Sequence, residues 1–246
     1  MLAVLKLLRG LWHVLMGWFT IYFRFPQLSQ QQRDARVQAW AMQLLRIWGI
    51  DLEVRGKPVV SGPALLVCNH ISWLDILVIH ATRHCRFVSK SELRDWPVLG
   101  TLASGGGTLY IERAQRKDAM RMVKDMAQSL RNGDVLAVFP EGTTGDGMGL
   151  LPFHANLIQS AIEGEAPIQA LALQFVDAKT NTISMAARYI DDDTLLSSVW
   201  STLRARHLKA VVTFGLPQTA DGRDRRAWAS DLYQDVLALK VKCCAQ

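Results

Sequence analysis

After Gly49, short apolar runs alternate with longer segments in which apolar residues recur every three or four positions. Runs of about four to eight apolar residues predict buried strands, and the longer pattern predicts helices that cover them. Strands that alternate with helices favour an α/β fold with a mixed, mostly parallel sheet covered by helices. The predicted strands are 64–68, 86–89, 108–111, 135–139, 168–175 and 211–214, and the predicted helices are 73–80, 115–130, one after 153 and 224–242.

The first 57 residues have a different character, because they hold most of the positive charge. Eight lysines and arginines stand against three carboxylates, so five of the chain's six net positive charges lie there. The same region holds four of the eight tryptophans. Basic residues with interfacial aromatics favour an anionic membrane surface as a partner. No zinc-finger, helix-turn-helix or RNA-binding signature is found, so we expect no nucleic acid.

Two segments of this region read as helices. Residues 11–23 contain ten apolar positions in thirteen and would span about 20 Å, short of the ~30 Å hydrocarbon core. Residues 32–49 form a clear amphipathic pattern. We predict that 1–49 is a membrane-anchoring helical hairpin on or in one leaflet, and that 50–246 is the catalytic domain. Two alternatives are a hairpin packed on the protein's own core and a single span by 2–24.

The most informative motif is Asn69-His70 with Asp75, directly behind the predicted strand 64–68. The carboxyl ends of strands in α/β sheets are where ligands usually bind. A turn after His70 would let Asp75 fold back toward the imidazole, and a His–carboxylate pair is a general-base device. The alternative is that Ser72-x-x-Asp75 is only a capping-box-like helix start.

Three further motifs are weaker individually. A glycine triplet precedes a predicted strand, and Arg113 behind that strand suits a bidentate grip on phosphate or carboxylate. The segment 139–147 is rich in glycine and offers the Glu141 carboxylate and two threonine hydroxyls. Pro167 stands at the head of an apolar run. Each has a purely structural alternative, respectively a glycine loop, a long turn and a proline at a strand start.

Together and in this order, the four motifs resemble the conserved blocks of the glycerophospholipid acyltransferases, whose type members are the 1-acyl-glycerol-3-phosphate acyltransferases. The segment 90–93 also resembles the family's sequence between the first two blocks. The resemblance implies transfer of an acyl group from a thioester to a lysolipid hydroxyl, with His70 as general base, Asp75 as its partner and Pro167 in the acyl-donor site. It implies that the acceptor is bound by Gly107, Arg113, Glu141, Gly142, Thr143 and Thr144.

The identity of the acceptor and of the donor stays open, as does the role of Glu141. Thr144 and Gly145 stand where the family typically has Arg-Ser, a form that resembles the lyso-ornithine lipid acyltransferase branch. The acceptor is therefore 1-acyl-sn-glycerol-3-phosphate or lyso-ornithine lipid, and the donor acyl-CoA or acyl carrier protein. Glu141 could instead order its loop, and a thioesterase or a non-catalytic lipid-binding protein are rival functions. We expect no metal or other cofactor, no acyl-enzyme on Cys68, and a location on the cytoplasmic face of the inner membrane.

Overall fold

The computed structural model describes residues 1–111, 116–190 and 192–244. In this part of the chain the helices are α1 (Leu2–Phe23), α2 (Gln30–Trp48), α3 (Leu74–Thr82), α4 (Leu99–Gly105), α5 (Arg116–Arg131), α6 (Ala155–Glu163), α7 (Leu195–Arg204) and α8 (Arg225–Cys244). The strands are β1 (Asp51–Arg55), β2 (Ala64–Cys68), β3 (Arg86–Lys90), β4 (Leu109–Ile111), β5 (Val135–Val138), β6 (Ile168–Asp177) and β7 (Leu208–Gln218).

The described strands form one sheet in the order β1-β7-β6-β2-β5-β3-β4. Neighbouring strands are parallel except β6 and β7, which are antiparallel. In the register of β2, Leu65 lies opposite Leu136 of β5 and Ile168 of β6. The carboxyl ends of β2, β3 and β5 therefore lie together at one edge. The predicted mixed, mostly parallel α/β sheet covered by helices is confirmed.

The core lies on both faces of this sheet. Leu66 and Cys68 of β2 face a cluster that also includes side chains of α2 and α3. Leu65 and Val67 face a second cluster with side chains of α5, α6 and α8. Every residue of β2 is buried, which explains why the strand reads as an uninterrupted apolar run.

The predicted strands and helices of the body are present with bounds within a few residues, but β1, α4 and α7 were missed. Strand β1 alternates charged residues with Leu52 and Val54 at the edge of the sheet. Helix α4 has only seven residues and contains two glycines. Helix α7 is rich in serine and threonine, and the Thr194 hydroxyl caps it by accepting from the Ser197 amide. Strand β1 and helix α4 give no strong apolar period, whereas the apolar residues of α7 recur every three or four positions and were overlooked among its serines and threonines.

The amphipathic stripe of α2 packs on the protein's own core. A Ser29–Gln32 capping box begins the helix, and Gly49 ends it with a φ of 68°. Between them Leu44, Leu45 and Trp48 are buried in the same cluster as the sheet. The alternative of a hairpin packed on the core thus holds for α2. The division at residue 49 into an anchor and a catalytic domain stays a prediction.

Helix α1 packs on α2 through two glycines. A Cβ at Gly10 would lie 2.4 Å from Trp48 Nε1, and a Cβ at Gly17 would lie 2.5 Å from Trp40 Nε1. The indole of Trp40 also donates to the His13 carbonyl at 3.2 Å and stacks on the His13 ring. Each tryptophan thus lies in a gap that only glycine leaves open, and the two helices form a close antiparallel pair.

The opposite face of α1 is apolar and exposed. Leu2, Trp12 and Tyr22 keep 66%, 63% and 64% of their surface accessible. Among the described residues, α1 is the one helix long and apolar enough to cross a membrane by length and composition. At about 1.5 Å per residue its 22 residues extend roughly 33 Å. This face of α1 is the part of the predicted hairpin that is left exposed for a membrane, and the membrane contact stays a prediction.

The packing of α1 on α2 is tested by Gly17→Ala. In a helix this substitution normally stabilises by roughly 0.5–1 kcal/mol. Here we expect a fall of a few degrees in the thermal midpoint in detergent, because overpacking typically costs about 1–3 kcal/mol. Gly149→Ala is the control, since a Cβ there meets no atom within 4 Å. An unchanged or raised midpoint for Gly17→Ala would contradict the packing.

Candidate active site

The site lies where β2, β3 and β5 end. His70 follows β2 by two residues, and the glycine-rich loop that begins at Phe139 follows β5. A cavity of 340 Å³ opens between these ends. It is lined by His70, Val88, Ser89, Lys90, Glu92, Leu93, Trp96, Val138, Phe139, Gly142 and Leu157. Most of these side chains are apolar, and the lysine and the glutamate come from the last residue of β3 and the segment directly behind it.

His70 and Asp75 are in direct contact, as their spacing predicts. His70 Nδ1 lies 2.8 Å from Asp75 Oδ2. The same oxygen accepts the backbone N–H groups of Ile71 at 2.6 Å and Ser72 at 2.9 Å. Because an ionised carboxylate only accepts hydrogen bonds, this contact favours the neutral tautomer that has its proton on Nδ1 and a free lone pair on Nε2. Asp75 thus orders the turn and also selects the imidazole tautomer.

The capping alternative for Asp75 describes part of this geometry. Asp75 Oδ2 accepts the Ser72 amide and Ser72 Oγ accepts the Leu74 amide at 3.3 Å, as in a capping box, but the same Asp75 oxygen also contacts the His70 ring. The Asp75 side chain is fully buried, whereas that of His70 is 19% exposed. A buried carboxylate that points at a partly exposed imidazole is the arrangement of a base with its orienting partner.

The His70 ring is held on its flat side as well. It stacks on the Phe139 ring at 3.9 Å between centroids with an interplanar angle of 9°. The backbone carbonyl of His70 accepts a hydrogen bond from the Gly145 amide at 2.8 Å, and this bond connects the first motif to the third. The imidazole is thereby fixed in orientation while one edge lines the cavity.

Glu141 orders the backbone around the site. Its Oε1 accepts the His70 amide and its Oε2 accepts the Leu151 amide, both at 2.7 Å. Burial raises the pKa of Glu141, although these two N–H groups act in the opposite direction. Since each oxygen already accepts a backbone hydrogen bond, the geometry favours the loop-ordering alternative over direct binding of a ligand.

Asn69 joins β2 to its neighbour. Its side-chain amide donates to the Leu173 carbonyl at 3.0 Å, and its Oδ1 accepts the Leu173 amide at 2.8 Å. The side chain imitates a backbone pair and extends the contact of β2 with β6 beyond Cys68. This fixes the point at which the chain leaves the sheet toward His70.

Lys240 is a component of the site that the sequence did not single out. It belongs to α8, is only 3% exposed, and donates from Nζ to the carbonyls of Gly147 at 3.0 Å and Gly149 at 2.5 Å. The loop that carries Glu141 is therefore held by a buried cation from the end of the chain. A lysine within a helical period gives no local signal for such a contact.

The remaining residues of the third motif differ in their surroundings. Gly142 lines the cavity and has a φ of 73°, which favours glycine. Thr143 is exposed. The Thr144 hydroxyl donates to the Tyr189 carbonyl, so it connects the loop to the segment before α7.

Two predicted site residues lie at the opposite edge of the sheet. Pro167 precedes β6 and its carbonyl accepts the Leu65 amide, near the amino end of β2. Gly107 precedes β4, and its carbonyl accepts from Arg86 Nε at 2.8 Å. The structure does not bring either residue to His70, and their predicted binding roles remain untested. Arg113 lies outside the described residues.

Two reactions are chemically open to this arrangement. A neutral imidazole with its Nδ1–H held by a carboxylate can take a proton from an alcohol or from water. Cys68 is unsuited as a nucleophile, because it is buried and burial raises the pKa of its thiol well above the ordinary range. The site therefore favours general-base catalysis without a covalent cysteine intermediate.

Comparisons with known proteins identify the family of the chain. A family model described as Acyltransferase matches residues 51–174. A 1-acyl-sn-glycerol-3-phosphate acyltransferase of Neisseria gonorrhoeae is 33% identical over 212 residues, covering 85% of this chain and 82% of that protein. A lyso-ornithine lipid O-acyltransferase of Pseudomonas aeruginosa is 33% identical over 227 residues, covering 90% and 85%. The crystal structure of the Thermotoga maritima LPA acyltransferase PlsC has a TM-score of 0.67 at 18% identity, covers 98% of both chains, and supports the fold.

Lys240→Met tests the contact between α8 and the glycine loop. Methionine keeps much of the length but cannot donate to the Gly147 and Gly149 carbonyls. Because hydrogen bonds from charged groups contribute about 1.5–3 kcal/mol, we expect amides of 142–149 to exchange about ten- to a hundredfold faster by mass spectrometry. The exposed Lys179→Met serves as the control. Unchanged protection of 142–149 would mean that Lys240 does not hold the loop.

Proposed function

Because the chain belongs to the acyltransferase family, we propose that it transfers a fatty acyl group from an acyl thioester to the free hydroxyl of a lysolipid. The observation that carries this proposal is the His70–Asp75 contact of 2.8 Å beside a largely apolar cavity. The imidazole can activate the hydroxyl, and the cavity provides space for an apolar chain.

The proposed chemistry is a direct transfer. His70 Nε2 takes the proton of the lysolipid hydroxyl while the hydroxyl oxygen attacks the thioester carbonyl carbon. Asp75 stabilises the imidazolium that forms. The tetrahedral intermediate then collapses with cleavage of the C–S bond, and the imidazolium returns its proton to the departing thiolate. The thioester is already activated, so no acyl-enzyme is required.

The oxyanion of the intermediate needs hydrogen-bond donors. We assign this role to backbone N–H groups of the loop behind Phe139. The amides of Gly142 and Gly145 already donate to the carbonyls of Phe139 and His70, which leaves those of Thr143 and Thr144 as candidates. For the acyl chain we propose the apolar part of the cavity, with Val138 and Leu157 in its lining.

Two acceptors are supported, because each of the two relatives compared above is named for a different one of them. Lys90 lines the cavity and suits the phosphate of 1-acyl-sn-glycerol-3-phosphate, the first candidate. Glu92 lines the same cavity beside it, and a cation–anion pair suits a zwitterionic head group. This observation favours lyso-ornithine lipid as the second candidate, in line with Thr144-Gly145 in place of Arg-Ser.

The donor and the location belong to the same proposal. Acyl-CoA and acyl carrier protein are both acidic thioesters of the cytoplasm, so we place the enzyme on the cytoplasmic face of the inner membrane. The exposed apolar face of α1 and the basic residues around it supply the contact with an anionic bilayer. An enzyme whose acceptor and product both reside in a bilayer gains from such a contact.

The thioesterase is the remaining rival, since the same base could activate water. His70→Ala tests the base in either case. We expect the purified variant to lose acyl transfer to a lysolipid by about 10²–10⁴-fold, because that is the usual contribution of general acid–base catalysis. Transfer is measured as labelled diacyl product, and hydrolysis as free fatty acid, with and without lysolipid.

His207→Asn is the matched control for this experiment. His207 is exposed with a φ of 58°, a conformation that asparagine tolerates. The control variant should retain wild-type transfer. Near-normal transfer by His70→Ala would sink the proposed role of His70, and free fatty acid as the sole product of the wild type would favour the thioesterase.

The acceptor is decided by crossing both lysolipids with both donors. Within this screen, Glu92→Gln should reduce turnover of lyso-ornithine lipid about tenfold, the order of one charge-assisted hydrogen bond, and leave 1-acyl-sn-glycerol-3-phosphate unaffected. Lys90→Gln is the companion variant and should weaken both acceptors, because both carry an anionic group. If Glu92→Gln affects both acceptors equally, the zwitterion argument is wrong.

A further inference from the structure

Helix α7, which was not predicted from the sequence, exposes large apolar side chains. Ser198, Thr202 and Leu203 face inward and are buried. On the outer side, Leu196 is 82% exposed and Trp200 is 40% exposed. The two lie four residues apart and so share one face of the helix. Exposed leucine and tryptophan side chains on one helix face are suited to contact with a lipid interface, where tryptophan is enriched.

The inward side of α7 is firmly attached to the site. The Ser198 hydroxyl accepts from Trp73 Nε1 at 3.1 Å and donates to the Arg188 carbonyl at 3.0 Å. One residue further, the Tyr189 amide donates to the Ile71 carbonyl at 3.1 Å. The Tyr189 carbonyl accepts from the Thr144 hydroxyl. Helix α7 is thus joined to the turn behind His70 and to the glycine-rich loop.

Helix α7 also lies beside α1. The two helices pack against each other. Two tryptophans connect the helices. Trp73, which donates to Ser198 of α7, contacts the Trp48 ring edge-on at 5.7 Å between ring centroids. Trp48 in turn lies against Gly10 of α1. The exposed apolar residues of α7 therefore belong to a helix that packs against α1, whose own exposed face is apolar.

The charges around α7 are of both signs. The helix contains no acidic residue, and the arginines at 188, 204 and 206 are exposed, but the three residues 191–193 before it are all aspartate. The attraction to an anionic bilayer therefore comes from the basic residues of the first 57 positions, and α7 contributes its exposed apolar side chains.

We propose that α7 is a second membrane-contacting element, which together with the exposed face of α1 forms one surface for an anionic bilayer. This rests on the proposed function, because it places the bilayer against the element that adjoins His70. A lysolipid could then reach the cavity without leaving the interface. The partner is the lipid surface itself.

The direct test is a fluorescent probe on α7 in the full chain. Leu196→Cys is labelled with an environment-sensitive dye in a Cys243→Ser, Cys244→Ser background, since the other two cysteines are buried. Leu216→Cys is the control. Leu216 is 87% exposed and lies near the end of β7 that pairs with the start of β6, at the opposite edge of the sheet.

With vesicles of phosphatidylcholine and phosphatidylglycerol, the emission at 196 should shift to shorter wavelength and be quenched by nitroxide lipids. The emission at 216 should not change. An equal response at both positions, or none at 196, would overturn the proposal. A concentration-dependent shift at 196 without vesicles would also overturn it, because it would indicate a second copy of the chain as the occupant.

A kinetic measurement separates this proposal from the proposed function. For Trp200→Glu we expect the ratio of turnover on vesicle-embedded acceptor to turnover on detergent-dispersed acceptor to fall about tenfold, the order of one lost apolar side-chain burial. Leu216→Glu should leave the ratio unchanged. An unchanged ratio for Trp200→Glu would contradict the role of α7. Absence of wild-type transfer in detergent would instead contradict the proposed function.

Discussion

The site depends on one buried carboxylate. Asp75 Oδ2 accepts three hydrogen bonds, from His70 Nδ1 and from the amides of Ile71 and Ser72. A carboxylate without exposed surface is costly unless donors satisfy it. These three donors satisfy Oδ2, whereas the buried Oδ1 has no hydrogen-bond partner among the described residues. The same contacts bend the chain behind β2 and orient the imidazole, so folding of the turn and orientation of His70 are one event.

Two further buried charges hold the rest of the site. Glu141 joins the amides of His70 and Leu151, and Lys240 joins two carbonyls of the glycine-rich loop. Glu141 connects two segments far apart in sequence, and Lys240 connects the loop to the distant helix α8. This arrangement permits a loop with four glycines to keep a definite shape beside His70. It also explains why the helix at the end of the chain belongs to the catalytic body.

The sequence predicted those parts whose signals are local. Strand β2 is an uninterrupted apolar run, and the spacing of His70 and Asp75 is typical of a turn that is followed by a helix. The parts that it missed depend on tertiary packing. Pro167 and Gly107 were given binding roles by the resemblance, and a parallel register places them at the amino ends of their strands, so those roles stay predictions. Lys240 and α7 acquire their significance from contacts with distant loops. The stripe of α2 could not be assigned to lipid or to core, because both environments select the same apolar residues.

The central claim is that a carboxylate-held imidazole activates the acceptor hydroxyl. Its most direct test is the turnover of Asp75→Asn with a lysolipid and an acyl thioester, after circular dichroism has verified that the variant is folded. An asparagine carbonyl can still accept the turn amides, but it does not stabilise an imidazolium as a carboxylate does. The account predicts a loss of about 10²–10⁴-fold in turnover. Turnover within a few-fold of the wild type would contradict it.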